Sequence, residues 1–568
     1  MSTALDLRSS HPGTIGHAIL EAAERWPDRT AFILGDRKAS FAEFARQSVV
    51  CARNLLAQHI GPGEHIGILM PNNWEYIILV SAINMIGACA VTLNARYRGE
   101  DLRYVIRHAN ISVLFTTGSA RPHLDLRSLL CTSFPELSQQ QEGNRLAVQG
   151  APHLRKVFHF HAPDEKSWPT EAAFNAAGQS VSDKILFERI GSVRPEDNAM
   201  VIFSSGTTSQ PKACMISHST LTDVSNAIAD RLELVAEDVL WDPLPMYHLS
   251  SHLPLNAARQ VGATFISQGH FQAGSALAEL ERHGVTIFYP AFPALTSAIL
   301  DHPEFKTRDL SRIRMMINIG APELLRKFAD AIPHATQISC YGLTEGGGIS
   351  TLSSPKDSLE QRLTRAGHPL RTHEIRIVDP ETLADVPQGQ RGEILIAGAI
   401  FSGYFNDEAQ THKVMLPNHW LRTGDFGWID EEGNLAYAGR LKDMLKVGGE
   451  NVSAVEVESF LARHPKIKMV QVIPAPDERL MEVVAVYIEL NAGETMTETD
   501  VIEYCVGRIA SYKVPRYVRF ISEWPMGATK IQKFKLVEDF VPVGKINVAA
   551  FLVKPCEGAA GSSLRGTK

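Results

Sequence analysis

The seven cysteines, Cys51, Cys89, Cys131, Cys214, Cys340, Cys505 and Cys556, are odd in number and never closely paired, so the chain lacks the spacing of a disulfide framework or a cysteine-built metal site. A reducing compartment is the simpler expectation. Residues 1–13 are polar and hold no apolar stretch of the kind a secretory signal needs, so export is not expected and a cytoplasmic location is. Strong charge of one sign is also missing. A formal net charge of -7 gives no electrostatic reason to expect a nucleic-acid partner, although it leaves room for a local anion site. Only one apolar run, residues 76–93, approaches membrane-spanning length. Asn84, Gly87 and the small residues after it predict a buried helix running into a strand, and no integral membrane association. No internal repeat is visible.

What the chain does have is length and ordinary composition. Its 568 residues exceed what one hydrophobic core serves, so two or more domains are expected. Apolar residues at 44% and charged residues at 21% are the balance of a globular protein with a sizeable core. Ile15, Ile19 and Ala22 recur at helical spacing, Pro27-Asp28 breaks the pattern, and Ala31-Phe32-Ile33-Leu34 reads as a strand. Another amphipathic helix starts near Ser40. Residues 65–70 form a strand entering Pro71-Asn72-Asn73, and the helix after it leads to a strand at 88–93. This βαβ punctuation predicts a layered α/β domain with a largely parallel sheet.

Residues 120–192 are polar and weakly periodic, which predicts surface loops and a few short elements. After Asp425 the texture changes to closely spaced strands and turns, and a domain boundary is expected near residues 439–442. Beyond it, a helix at 455–461, strands at 470–474 and 483–490, and a helix at 497–509 make a compact α+β module. Residues 558–568, rich in Gly, Ala and Ser, are expected to be disordered. The expected organisation is one domain over 1–439, a second over 440–542, and a tail from 543 to 568.

Chemistry first appears where the apolar strand Met200-Val201-Ile202-Phe203 runs into Ser204-Ser205-Gly206-Thr207-Thr208-Ser209-Gln210-Pro211-Lys212. Glycine lets a backbone approach an anion, hydroxyl and amide groups donate to phosphate oxygens, and Lys212 adds positive charge. The spacing of a Walker loop is absent. Taken alone, such a segment is equally ordinary turn chemistry. It resembles, however, the signature loop of the adenylate-forming (AMP-binding) superfamily, which includes acyl-CoA synthetases, coumarate-CoA ligases, luciferases and peptide-synthetase adenylation domains. Ser209 stands where that family usually has glycine, and Ala213 replaces the glycine that commonly follows the lysine.

Further motifs of the superfamily follow in order over nearly the whole chain. Pro245-Met246-Tyr247-His248 resembles the segment that borders the acyl pocket, with Ser251, Asn318 and Gly346 as further pocket candidates. Gly320-Ala321-Pro322 resembles the adenine-proximal strand end. Tyr341-Gly342-Leu343-Thr344-Glu345 resembles the segment whose tyrosine stacks on adenine. The resemblance implies that Thr344 meets the α-phosphate and that Glu345 holds Mg2+, a hard cation that prefers oxygen. Asp425 in Leu421-Arg422-Thr423-Gly424-Asp425 would accept from the ribose hydroxyls, and Arg440 in Gly439-Arg440-Leu441-Lys442-Asp443 would contact the nucleotide. Lys442 is then the hinge, and Gly448-Gly449 belongs to the loop that helps form the coenzyme A tunnel. Pro525-Met526-Gly527-Ala528-Thr529-Lys530-Ile531-Gln532-Lys533 resembles the catalytic-lysine segment, with Lys530 favoured and Lys533 as its neighbouring alternative.

The resemblance implies a large N-terminal domain of layered α/β sheets with a small β-barrel-like part, and a small mobile α+β C-terminal domain. It implies ATP, Mg2+ and coenzyme A as cofactors and a small-molecule carboxylic acid as substrate. The reaction would be an AMP-forming acid-thiol ligation. An adenylating enzyme with a carrier-protein or oxidase-type outcome, or a silent acyl-adenylate binder, stays open. No carrier-domain sequence follows the small domain, and Thr344, Glu345, Asp425, Arg440 and Lys530 argue against silence. The acid is not readable, though the small residues near 346 suggest room for a medium, aromatic or polycyclic one. Oligomeric state is open, a homodimer included.

Overall fold

A computed structural model describes residues 10–97, 99–118, 125–139, 146–161, 168–204, 211–441, 444–447, 450–477, 479–526, 531–546 and 548. The chain forms two compact units. The first comprises Met1–Thr423 and Trp428–Ala436, the second Gly424–Gly427 and Tyr437–Lys568.

Two seven-stranded sheets organise the first unit. One runs in the order Thr336–Ile338, Met315–Asn318, Ile287–Ala291, Val239–Asp242, Thr264–Ser267, Thr30–Leu34 and Arg37–Ser40, and only its last pair is antiparallel. The other runs Gly403–Tyr404, Lys212–Ser217, Asn198–Ser204, Cys89–Thr92, His65–Leu69, Val113–Thr117 and Lys156–Phe160. There the first two pairings are antiparallel and the rest parallel.

The alternation of side chains along each strand decides the layering. Phe32, Leu240 and Phe265 of one sheet and Ile66, Met200 and Ile202 of the other share one core with the helices Ile15–Arg25, Phe41–Ala57, Trp74–Met85, His218–Arg231 and Leu249–Val261. Those helices lie between the sheets. Trp74–Met85 is buried on every face, which explains why its sequence is apolar all round. The intervening strand positions point the other way. Val91, Leu114, Val201 and Phe203 pack under Gly99–His108 and Leu126–Ser133, while Ile33, Trp241, Phe288 and Met316 pack under Ala273–Arg282 and Pro322–Ala331. Each fully buried large apolar side chain contributes about 1.5–3 kcal/mol, so this layering is the main source of the unit's stability.

Local signals set the helix starts. Thr14, Ser40 and Asn73 each accept a hydrogen bond from the backbone N–H three residues on. Residues 120–192, expected to hold surface loops and a few short elements, include the edge strand Lys156–Phe160, with four buried residues. Phe158 stacks on Phe115 at 5.0 Å and Phe174 packs edge-on against both, so a tertiary aromatic cluster makes a strand that local periodicity does not announce. Two small antiparallel sheets complete the unit, one of Cys340–Tyr341, Thr351–Leu352 and His368–Pro369, the other started by His373–Val378 and Gly392–Gly398. Among the described residues no helix is long and apolar enough to cross a membrane.

The second unit is built on the order Glu450–Ser453, Met444–Val447, Met481–Leu490 and Ile467–Asp477, with Tyr517–Phe520 added parallel to Met481–Leu490. Helices Ala454–Leu461 and Glu498–Cys505 cover one face through Val457, Leu461, Val501 and Ile502. Leu536 of the short helix Lys533–Glu538 packs on the other. The helix expected over 497–509 stops at Cys505. Val506 leaves helical geometry and Gly507 follows at φ +74°, a left-handed turn that suits glycine. Residues 549–568, including the tail expected to be disordered, lie outside the described residues.

Candidate active site

Strand Asn198–Ser204 ends at the hydroxyl loop, and Lys212 opens the strand that returns beside it, with Ser204 and Lys212 directly paired. Ser205, Gly206, Thr207 and Thr208 lie outside the described residues. At the two ends of that loop a cluster forms around Glu345. The Ser204 hydroxyl donates to Glu345 Oε1 at 3.1 Å and the Tyr404 hydroxyl to the same oxygen at 2.9 Å. Lys212 Nζ lies 5.0 Å from the centre of the Tyr404 ring. Two donors on one carboxylate oxygen orient the group. Cys214 lies beneath. Burial, with Glu345 nearby, holds its thiol well above the usual range, so it is not a nucleophile.

Glu345 owes its place to a tightly folded turn. The Phe401 N–H donates to the Glu345 carbonyl at 2.9 Å, and His373 Nε2 donates to the Gly346 carbonyl at 3.1 Å. Burial pushes His373 down to about 4, so the ring is neutral near pH 7, with its Nδ1 3.0 Å from the Thr372 hydroxyl. A Cβ at Gly342 would stand 1.9 Å from the Gly348 carbonyl oxygen, and one at Gly347, where φ is +75°, would stand 2.2 Å from that of Ala399. Gly346 is equally enclosed, since its Cβ direction meets Leu343 and Ser350 at 2.9 Å. These small residues therefore serve close packing in the directions of their missing side chains. Tyr341 is buried on the short strand that leads into this turn, and Thr344 is half-buried beside Glu345.

The other candidates sit on strand ends and caps. Gly320 is exposed just after strand Met315–Asn318, Ala321 caps the next helix, and Pro322 takes its first position. The Tyr247 and His248 rings lie 4.7 Å apart and tilted at 58°, with His248 at the start of helix Leu249–Val261. Ser251 is buried and its hydroxyl bonds to Asp242, whose carboxyl burial pushes well up. Asn318 is fully buried. Its Oδ1 accepts from Thr296 at 2.5 Å and its Nδ2 donates to Gln337 at 3.0 Å, so its amide braces two strands in this structure.

In the second unit, Arg440 Nε lies 2.7 Å from Asp425 Oδ1, and Asp425 is buried. Lys530, Lys442, Gly448 and Gly449 lie outside the described residues. The stem that leads to Lys530 is described: Met526 and Ile531 form an antiparallel bridge and Gln532 N–H donates to the Pro525 carbonyl at 2.7 Å. Lys533 is tied down, 2.5 Å from Glu458.

Tyr404 is the site residue that sequence reasoning missed. Its partner is 59 positions away, and a two-residue Gly-Tyr edge strand carries no local mark of that contact. Among the described residues no group of three or more His, Cys, Asp or Glu is placed to hold a metal. A carboxylate oriented in this way fits Mg2+ that arrives on a nucleotide, since this ion is commonly held by one or two carboxylates plus substrate phosphates.

Layered sheets and an oriented carboxylate beside the end of strand Asn198–Ser204 agree with the adenylate-forming resemblance read from the sequence. The chain belongs to the AMP-binding enzyme family, whose model matches residues 19–405, and the AMP-binding enzyme C-terminal domain matches residues 456–531. It is 31% identical to the putative acyl-CoA synthetase YngI of Bacillus subtilis (strain 168), over 92% of this chain and 96% of that protein. It is 30% identical to the mitochondrial medium-chain acyl-CoA ligase ACSF2 of Mus musculus, over 92% of this chain and 87% of that one. The crystal structure of the anthranilate CoA ligase AuaEII with anthranoyl-AMP shares the fold at a TM-score of 0.80 and 24% identity, covering 92% of this chain and 96% of that one.

Proposed function

We propose that this protein is an ATP-dependent carboxylic acid:CoA ligase that forms an acyl-AMP and then an acyl-CoA thioester, releasing pyrophosphate and AMP. The observation that carries the reading is the convergence of Ser204 and Tyr404 on one oxygen of Glu345, beside the end of the hydroxyl loop and Lys212. Relatives whose names specify acyl-CoA ligation support it.

A carboxylate is a poor electrophile, because its charge repels nucleophiles and its oxygen leaves badly. Attack of the acid on the α-phosphorus of ATP removes both obstacles. The acid oxygen bonds to that phosphorus as the bond to pyrophosphate breaks, and negative charge builds on both sides. Glu345 would hold Mg2+ that arrives with the nucleotide, an ion whose charge would offset that of the leaving pyrophosphate. Ser204 through Thr208 with Lys212 hold the phosphates. Tyr341, Gly342 and Gly320 to Pro322 bound the adenine, Thr344 meets the α-phosphate, and Asp425, beside Arg440, takes the ribose hydroxyls. Tyr247-His248, with Ser251, Asn318 and Gly346 behind them, shape the acid side.

Lys530 supplies the cation at the α-phosphate. The engagement of Lys533 with Glu458 supports that choice over the neighbouring lysine. In the second half-reaction the thiol of coenzyme A attacks the acyl carbon, AMP leaves, and a proton is lost from sulfur. The domain over 440–542 turns about Lys442 relative to that over 1–439, withdrawing Lys530 and presenting Gly448-Gly449. The test is a panel of straight-chain and aromatic acids assayed for acid-dependent AMP and pyrophosphate release, with the thioester identified by mass spectrometry. Acid-dependent AMP without thioester would overturn the acceptor, and no acid-dependent pyrophosphate from any acid would overturn the ligase.

A further inference from the structure

The turn over residues 244–248 has no helix or strand of its own, yet Leu244, Met246 and Tyr247 are buried. Something other than secondary structure must hold it. Asn72, in the loop after strand His65–Leu69, does most of this. Its Nδ2 donates to the Leu244 carbonyl at 2.8 Å and the Gln268 carbonyl at 3.0 Å, and its Oδ1 accepts the Met246 N–H at 2.8 Å. From the opposite side, His252 Nε2 donates to the Met246 carbonyl at 2.7 Å. The N–H and the C=O of Met246, which belong to the successive peptide units on either side of its Cα, are thereby each held by a side chain. His252 is itself braced, because Asn256 donates to its carbonyl at 2.9 Å and Arg259 donates to the Asn256 side chain. Burial pushes His252 down to about 4, so it remains a neutral ring with one N–H to give near pH 7.

The topology makes the first contact unusual. Asn72 follows a strand of one seven-stranded sheet, whereas Leu244 and Gln268 follow two adjacent parallel strands of the other, Val239–Asp242 and Thr264–Ser267. One amide side chain thus fastens together the carboxyl ends of strands from both sheets, where ligands of open α/β sheets collect. The fastened peptide immediately precedes Tyr247 and His248. We propose that Asn72 and His252 are positioning residues for acid selection, which hold the two peptides flanking Met246 so that the Tyr247 and His248 rings keep one placement. The inference rests on the reading that these rings border the acid. A side chain that shapes a site must be held to within about 0.5 Å by such supports.

The test compares Asn72→Asp, His252→Leu and His252→Gln in the full chain. Asp at 72 keeps the acceptor for Met246 but turns a carboxylate oxygen toward two carbonyls. Gln at 252 can still donate to the Met246 carbonyl, whereas Leu cannot. With straight-chain acids from butanoate to dodecanoate as probes, Asn72→Asp is expected to lower kcat/KM for the best acid about 10- to 100-fold, the scale of a misplacement near 1 Å. The KM for ATP should stay within about twofold. His252→Leu should lower the same ratio, and His252→Gln should restore most of it. Amide hydrogen exchange at Met246 should quicken in Asn72→Asp and His252→Leu, with the sheet cores unchanged.

Equal shifts for ATP and acid would overturn the proposal, as would a His252→Gln variant no better than His252→Leu. Unaltered exchange at Met246 would overturn it whatever the kinetics. If the wild type activates no acid in the panel, the ligase reading fails separately, and the exchange data still decide whether the clamp exists. Should Asn72→Asp fail to fold, the two His252 variants decide alone.

Discussion

At the scale of single residues, Glu345 is the most exposed claim to test. Its Oε1 accepts from Ser204 and Tyr404, and the proposed function has this carboxylate hold the cation. Replacing Glu345 by Gln removes the charge while keeping the shape. Acid-dependent pyrophosphate release is then expected to fall on the order of 10²–10³-fold, the loss typical of deleting one charge-stabilising group. Tyr404→Phe deletes one hydrogen bond to a charged acceptor, worth about 1.5–3 kcal/mol, so a loss of about tenfold or more should appear, greatest at limiting Mg2+. Measuring release against Mg2+ concentration separates this from a folding defect, since a destabilised enzyme loses activity equally at all concentrations. The two lysines are distinguished in the same assay. Lys530→Ala should cost on the order of 10²–10³-fold, whereas Lys533→Ala, which breaks a contact with Glu458 inside the second unit, should affect thermal stability more than rate. Ser204, Lys212 and Glu345 were legible because their chemistry is written in short motifs. Tyr404 and Asn72 were not, since each acts on partners far along the chain and neither has an unusual neighbourhood in sequence.

Among the elements, the turn over residues 341–348 shows what motif reading misses. Its glycines are closely packed in the directions of their missing side chains. Gly347→Ala would force a Cβ to within 2.2 Å of the Ala399 carbonyl at a φ of +75°, both unfavourable to an L side chain. Denaturant midpoints should therefore drop, by about 1–3 kcal/mol or more in stability. His373, which braces the same turn, gives a pH signature. Its folded value of about 4 lies below the ordinary value of 6.5, so the unfolded chain binds the extra proton between those limits. The stability it contributes is whole above pH 6.5 and is lost as pH falls toward 4. His218 and His252, also pushed down to about 4 by burial, act in the same sense, and the buried Asp242 opposes them. The clean measurement is a difference: His373→Gln should flatten the decline of urea stability between pH 6.5 and 4 relative to the wild type. An identical slope in both proteins would refute the assignment. Helices with side-chain caps, such as those begun by Thr14, Ser40 and Asn73, were readable from the sequence within a residue or two. Lys156–Phe160 was not, because its burial comes from Phe115 and Phe174 and from no pattern of its own.

For the molecule as a whole, the chemistry sets conflicting demands on one place. Adenylation needs a cation against the α-phosphorus, and thioester formation needs an open approach for a thiol to the neighbouring acyl carbon. A rigid arrangement that satisfied the first would obstruct the second. The chain folds as two compact units, and the family matches fall on residues 19–405 and 456–531, leaving Lys442 in the stretch between them. A change of sequence texture after Asp425 made the smaller module legible, whereas nothing in local sequence marks which peptide turns. If Lys442 is that peptide, proline there should be selective, because it fixes φ near -65° and removes an N–H. Lys442→Pro is expected to keep acid-dependent pyrophosphate exchange within a few-fold of the wild type and to reduce thioester formation about tenfold or more, read by mass spectrometry of the acyl-CoA. Acyl-AMP should then accumulate on the enzyme, which a rapid acid quench would recover. Loss of both half-reactions in equal measure would move the hinge elsewhere, because a peptide that serves only the changeover cannot be needed for the step before it.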